Sequence, residues 1–490
     1  MKQIIADFFQ LGHLRLFSRI LTGLRGLFII SFLSPQSLGE YTIWLLFVVY
    51  FSLLDFNILY ALERDIPFYR GQNNGEKVKE ITITGRSTYF ILTLLATVSL
   101  YVVSYFIYRD GMMSLLLSLY LLTDKICRIY DSCSRIESLY RANGLAELIK
   151  AVSSLVLILI LLPRYGIYGI FLTFIGSSLL SIAYLYRKCL LEFSWYVNLK
   201  KQLAYIQGAL SLAVVYYSYE IFQAVAITVL AWQWDKQTLG YFVFAFRVYQ
   251  ICLDIFPAVI ADVLRTRLYF YAAQIKAMDD PFEKIYRPLK VYAMVAAFFW
   301  LIVYWWGNWG IQRFFPNYVQ STMALKLLML ALIPMGIVKV LSQYLCSSIF
   351  KRMPWIIMAW TASIFTQATL FFIFPLTSEN ITAMSSVIYL SSTFLIYISI
   401  GFCAFGFGLK EKFYNTISKM VSLLIPLSII LMVVGIIRFS GHWLPTGNFY
   451  MNILPFGLSV LGTGILMYFV YFFERPVNFK FSLFKRHIMI

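Results

Sequence analysis

The sequence predicts an all-α integral membrane protein of about 14 transmembrane helices, with two six-helix bundles in a parallel pseudo-two-fold repeat and two C-terminal helices appended. Three observations predict it. The 490 residues are 60% hydrophobic and only 13% charged, with a mean hydropathy of +0.75, which leaves too little polar surface for a soluble globule of this size. Apolar runs of about 20 residues, long enough to cross a hydrocarbon layer, recur along the whole chain. The segment SPQSLGEYTIWLLFVVYFSLLDFNILYAL from Ser34 also has a counterpart roughly 200 residues on, DKQTLGYFVFAFRVYQICLDIFPAVIADVL from Asp235.

Runs of spanning length fall near residues 11–33, 38–62, 82–107, 112–136, 145–163, 166–187, 204–231, 238–262, 288–308, 321–349, 354–376, 381–407, 416–438 and 450–473. The two similar segments are the second and eighth. Each begins with a polar turn and Leu-Gly, runs through an aromatic-rich span, passes an acid (Asp55, Asp254) and ends in a basic loop. They cross in the same direction, so the bundles they open are related by an axis along the membrane normal. The expected division is 1–187 for the first bundle, 188–203 for a basic and aromatic interfacial linker, 204–407 for the second bundle, and 408–490 for the appended helices and a basic tail. The aromatic run VYWWGNWG, Val303 to Gly310, is expected to anchor a bilayer interface.

The net charge of +18 is explained by its placement. Alternate connections are basic: Arg64, Arg70, Lys77 and Lys79; Arg135 and Arg141; Arg187, Lys188, Lys200 and Lys201; Arg265 to Arg287; Lys351 and Arg352; Lys410 and Lys412; and Arg475 onward. The others hold little beyond Arg109, Arg164, Lys236, Arg313 and Arg438. The positive-inside rule then puts both termini of a multi-pass protein in the cytoplasm, the cytoplasmic (inner) membrane being the location that the resemblance described below implies, and a nucleic-acid partner is not expected. The N-terminal run is broken by arginines with no small-residue cleavage site after it, so the first span is expected to stay in the mature chain.

Several chemistries lack their residues. The six cysteines lie in or beside apolar segments without CxxC spacing and are expected to be small core residues, not zinc ligands or disulfides. His13, His442 and His487 fall at span ends or tails, away from where an intramembrane acyltransfer would need one. No phosphate-cradling glycine loop or nucleophile constellation is present, and the chain is not expected to be an enzyme.

The candidate site lies in charges placed inside spans. An arginine at a span centre costs about 2.5–3.5 kcal/mol on insertion scales, so it implies a partner, water or an anionic ligand. Arg15 can snorkel to the cytoplasmic surface, whereas Arg19 and Arg25 are too deep and are expected to line a cavity. Arg247, two turns from Asp254 and too far along the axis for a direct ion pair, is a further cavity cation; Arg128, Lys326 and Lys339 complete the set. Asp124, Lys125, Arg128 and Asp131, at i, i+3 and i+4 spacings, are expected to satisfy one another on a helix surface. Asp55, Glu220 and Asp254 are the acids placed for ion coupling or for pairing with a cavity cation.

The arginine-bearing first span, the turn SPQSLGEY, the block LLDFNILYALERDIPFYRG, and the segments RYGIYGIF, TLGYFVFAFRV and FFPNYVQS, taken in order, resemble the polysaccharide-transporter branch of the multidrug/oligosaccharidyl-lipid/polysaccharide exporter superfamily. The resemblance covers nearly the whole chain. It departs at Asn57, where the family often has glycine, and in the seventh span, where Glu220 or Gln223 stands in place of an aspartate. It implies a flippase that moves a polyprenyl-pyrophosphate-linked oligosaccharide, the precursor of O-antigen, capsule or a related glycan, to the outer leaflet. Its surroundings would be membrane lipids and its neighbours a glycan polymerase or assembly proteins. No cofactor is implied, and coupling to Na+ or H+ stays open. The competing expectations are a drug or cation exporter of the same superfamily, which favours an acidic cavity, and a membrane glycan polymerase or O-acyltransferase.

Overall fold

The computed structural model describes residues 2–189, 198–255, 283–348, 353–374, 380–403, 413–439, 452–453 and 455–463. Among them there is no strand. The helices are α1 (Lys2–Phe32), α2 (Pro35–Ser52), a 3-10 turn (Leu53–Asp55), α3 (Ile58–Gly71), α4 (Gly75–Tyr108), α5 (Gly111–Ile136), α6 (Tyr140–Tyr186), α7 (Leu199–Gln233) and α8 (Lys236–Ile255). After these come α9 (Glu283–Phe314), a 3-10 turn (Pro316–Ser321), α10 (Thr322–Leu330), α11 (Leu332–Ser348), α12 (Met353–Ile373), α13 (Ile381–Gly401) and α14 (Phe413–Phe439). The expected spans are all represented, several in part; of the last, near 450–473, only 452–453 and 455–463 are described.

Polar caps set where the helices begin. Ser34 accepts from the Ser37 amide ahead of Pro35 at the first turn of α2, and Asn74, Asp110 and Asn198 do the same for α4, α5 and α7. Asp235 accepts from Thr238, through its hydroxyl and amide, and from the Gln237 amide; these bonds hold its carboxyl below the ordinary carboxylate range.

α6 runs for 47 residues, which would extend about 70 Å if straight, yet Gly166 interrupts it at φ 55°, ψ −132°. A side chain rarely tolerates that backbone. Beyond it the chain doubles back: Gly169 packs against the Leu161 backbone, Gly176 against the Leu157 side chain, and the Ser181 hydroxyl donates to the Ala146 carbonyl at 3.2 Å. α6 is therefore an antiparallel hairpin of two crossings, matching the fifth and sixth spans. Among the described residues eight helical stretches are long and apolar enough to cross a membrane, or nine with the bent pair α10–α11, and the hairpin adds one more to either figure. α1, α5 and α7, at 31, 26 and 35 residues, also have spanning length.

Within the first half of the chain, α6 packs along α1 and α5, and α4 packs against α3 and α5. In the second, α12 lies against α7 and α13, α13 against α10 and α11, and α9 against α10 and α14. Contacts between the two groups are led by α2 with α8, followed by α1 with α8 and α7 with α3, α2 and α4. At one end Tyr168 donates to Asp110 at 2.8 Å, Tyr318 to the Leu33 carbonyl at 2.8 Å, and Lys236 pairs with Glu40 at 3.2 Å. The other end carries Arg70–Glu137 at 2.6 Å, and Glu80 between Lys77 and Lys201, each at 2.8 Å. The alternation of loops read from the charges is thus the alternation of the fold.

Within the aromatic run from Val303, Trp305 departs from the expected role, while Tyr304, Trp306 and Trp309 are half-buried. Trp305 is only 1% exposed, with its ring nitrogen donating to Ser459 at 3.1 Å and its carbonyl accepting from Asn452 at 2.8 Å. It binds the C-terminal segment to α9 and is not an interface anchor. Cys127, Cys133, Cys189 and Cys403 are buried, as small core residues would be.

A Cβ at Gly169 would overlap the Leu161 carbonyl, whereas one at Gly208 meets nothing. Gly169→Ala is expected to destabilise the protein by about 1–3 kcal/mol, read as a lower melting midpoint in detergent, with Gly208→Ala near the parent. Equal midpoints for the two variants would contradict the hairpin.

Candidate functional site

Two charged clusters occupy the space where the helix groups meet. The first forms at the break between α2 and α3. Phe56 and Asn57 both adopt left-handed backbone, at φ 47° and 55°, which costs a non-glycine residue energy unless its surroundings enforce it. Here they do. The Asp55 carboxylate, 7% exposed, accepts from the Asn57 amide at 2.8 Å, from the Tyr217 hydroxyl of α7, and from the Lys125 ammonium of α5. Lys125, 1% exposed, also donates to the Ser52 carbonyl at 2.8 Å, capping the last turn of α2. One carboxylate thus ties α2, α3, α5 and α7 together.

Lys125 corrects the sequence reading, which had it satisfied by acids on its own helix. Asp124 and Arg128 do pair at 2.8 Å, as their spacing implied, and Lys150 joins them at 3.3 Å. Lys125 leaves that cluster because it lies on the buried stripe of Leu117, Leu121 and Ile129. A lysine at i+4 from leucines on an apolar stripe was the available signal. Tyr217 offered none.

The second cluster is cationic. The Arg25 guanidinium of α1 lies 4.7 Å from the Phe174 ring centroid, and its Nε is buried without a hydrogen-bond partner among the described residues. It is within electrostatic reach of Arg247 on α8, and Tyr41 of α2 feels both. Arg247 donates to Gln250 at 2.9 Å, and Gln250 donates to Gln223 of α7 at 2.8 Å. Two guanidinium groups from opposite helix groups are therefore close enough for their charges to act on each other, an unfavourable pairing that water or an anion between them would offset.

The remaining candidates are placed as follows. Arg19 donates to the backbone carbonyl of Asp254 at 2.7 Å, joining α1 to α8. The Asp254 carboxylate accepts from Lys339 of α11 at 3.1 Å, and Lys339 lies 5.3 Å over the Tyr219 ring of α7. As expected, Asp254 does not use Arg247. Glu220 is exposed on α7, facing the charges of Arg128, Lys339 and Asp254, and the Arg128 side chain is 57% exposed. Lys326 stands apart, 5.1 Å over Tyr304 of α9. Arg15 pairs with Glu147 at 3.7 Å and donates to Asn143 at 3.1 Å. The structure thus brings Arg19, Arg25, Arg128, Arg247 and Lys339 to the seam between the groups, with Glu220 and Asp254, while Asp55 is held by Lys125. Among the described residues no cluster of His, Cys, Asp and Glu could hold a metal ion.

No family model and no curated protein matches the chain. Solved structures do. The lipid II flippase MurJ, in an inward closed conformation, is similar with a TM-score of 0.68 at 16% identity, over 94% of this chain and 98% of that one. An inward-facing multidrug resistance MATE family transporter of the MOP superfamily gives 0.57 at 14% identity, over 78% and 93%. A mutant of the Vibrio cholerae MATE transporter VcmN gives 0.53 at 12%, over 84% and 99%. The chain has the all-helical membrane-transporter fold that these proteins share.

Removing one partner of the buried Asp55–Lys125 pair leaves an uncompensated charge, at about 3–5 kcal/mol, whereas removing both is far less damaging. Lys125→Met is therefore expected to lower the melting midpoint sharply and Asp55→Leu/Lys125→Met to restore most of it. A double variant no more stable than the single would refute the pairing.

Proposed function

We propose that this protein is a flippase of the cytoplasmic membrane that carries a polyprenyl-pyrophosphate-linked oligosaccharide from the inner to the outer leaflet by alternating access. Both termini lie in the cytoplasm, and the two helix groups, α1–α6 and α7–α13, act as the moving bundles. The sugar head and pyrophosphate pass along the seam between them while the lipid tail stays in the bilayer.

The observation that carries this reading is that Arg25 of α1 and Arg247 of α8, on helices that pack across the seam, lie within reach of each other's charge. A pyrophosphate between the two would offset their repulsion, and guanidinium groups suit it because each binds phosphate oxygens in a fork and keeps its charge at any physiological pH. Arg19, Arg128 and Lys339 extend the positive surface along the same seam, and glutamines and tyrosines beside it provide neutral hydrogen-bonding groups for sugar hydroxyls. The likeness to MurJ, a lipid II flippase, supports a lipid-linked substrate. Outward movement of a head group with two negative charges is favoured across an inside-negative potential by about 2.3 kcal/mol per charge per 100 mV. The likeness to MATE transporters supports a drug exporter as the second reading, and Glu220 and Asp254 are the acids it would use. Bases outnumber acids at the seam, which favours the anionic cargo.

Depletion of the protein is expected to accumulate lipid-linked oligosaccharide on the cytoplasmic face, measured by its accessibility to added enzyme in inside-out vesicles. Arg19→Ala, Arg25→Ala and Arg247→Ala are each expected to abolish export with protein still in the membrane. Normal export in all three would remove this assignment, and loss of drug efflux with unchanged glycan would favour the second reading.

A further inference from the structure

The two similar segments meet. α2 and α8 cross near their N-terminal ends, and a Cβ added at Gly39 would overlap the Lys236 carbonyl, while one added at Gly240 would overlap the Pro35 carbonyl. The offset that carries Gly39 to Gly240 also carries Pro35 to Lys236, so each segment makes to the other the contact that it receives. Reciprocity of this kind is the mark of a two-fold axis passing through an interface. The same offset relates Ser34 to Asp235, the capping side chains, Ser37 to Thr238, whose hydroxyls meet those caps at 3.0 and 2.6 Å, and Leu38 to Leu239, at 1% and 0% exposure.

We propose that Gly39 and Gly240 form a symmetric backbone clasp that shuts one end of the passage between the helix groups, and that its parting opens that end. The proposal rests on the alternating-access reading above. Helix crossings usually keep axes 8–10 Å apart because side chains intervene. At this crossing neither partner has one, and backbone reaches backbone. Such a contact leaves no gap between the two helices when closed, yet it is built of small areas of van der Waals surface, without a buried ion pair to break. The ion pair at the crossing, Lys236 with Glu40, has side chains 44% and 39% exposed, so it steers closure and holds it weakly. Tyr318 braces the same end by its bond to the Leu33 carbonyl. The clasp sits at the N-termini of α2 and α8, with the cationic seam on the inner side of it.

The test uses the purified full-length protein in detergent, where both ends are reachable and no cargo is needed. Leu239→Cys is placed beside the clasp, and its reaction with a soluble maleimide is timed, with the native cysteines alone as the blank. It is expected to resist modification in the otherwise unaltered chain. Addition of Gly39→Ala or Gly240→Ala is expected to speed it at least tenfold, because a methyl group at either position prevents closure; Gly310→Ala, whose Cβ meets nothing, is expected to leave the rate unchanged. Equal rates in all variants, or fast modification of Leu239→Cys alone, would overturn the clasp. If an alanine variant is lost from the membrane, Glu40→Cys with Lys236→Cys decides in membrane vesicles: a reducible bifunctional thiol reagent is expected to join the two and stop export until it is cleaved, and export that continues in the cross-linked protein overturns the proposal. Labelling that responds to the glycines while lipid-linked oligosaccharide fails to accumulate on depletion would retain the clasp and reject the glycan cargo.

Discussion

The constraint on which this architecture depends is the cost of charge in an apolar bundle. In a chain with 13% charged residues, every ion placed within a span has to be paid for by a partner, by water or by cargo. The protein divides its internal charges between these solutions. Asp55 with Lys125 is a dry, fully partnered unit that fixes a helix break. Arg25 and Arg247 lie within reach of each other's charge, the first against the Phe174 ring and the second bonded to Gln250. The first unit serves the fold, and the second is the one to which the proposed anionic cargo is assigned.

This division explains which parts of the molecule were legible in the sequence. Helix positions follow from apolar length and from caps such as Ser34 and Asp110, both local properties, and the alternating loops follow from charge. Even the hairpin within α6 was visible, because Arg164 and Gly166 interrupt an otherwise continuous apolar run. The seam was legible in outline: Arg19, Arg25 and Arg247 were conspicuous as charges in spans, and the helices that carry them, α1 and α8, pack together. Their partners were not, since the Asp254 carbonyl, Phe174 and Gln250 depend on how helices rotate against each other, which a single chain does not encode locally.

Lys125 and Trp305 mark the limit more sharply. Each belongs to a pattern with a familiar local meaning, a charge cluster at helical spacing and an aromatic belt, and in each case a distant segment overrode it: Asp55, 70 residues away, for the lysine, and Ser459, 154 away, for the tryptophan. Long-range pairing of this sort is invisible to periodicity. Glycines gave the opposite lesson. Leu-Gly in two similar turns was only a weak repeat signal, and it became a physical statement once the two proved to touch.

The break at Phe56 and Asn57 lies in the segment that meets its counterpart at the glycines, and the positions at the same offset in the second segment, 257 and 258, lie outside the described residues. Lys125 and Tyr217 grip the break from α5 and α7, one helix from each group. A tilt of α2 about this joint is therefore transmitted to both groups at once, which makes the break a coupling point as well as a bend.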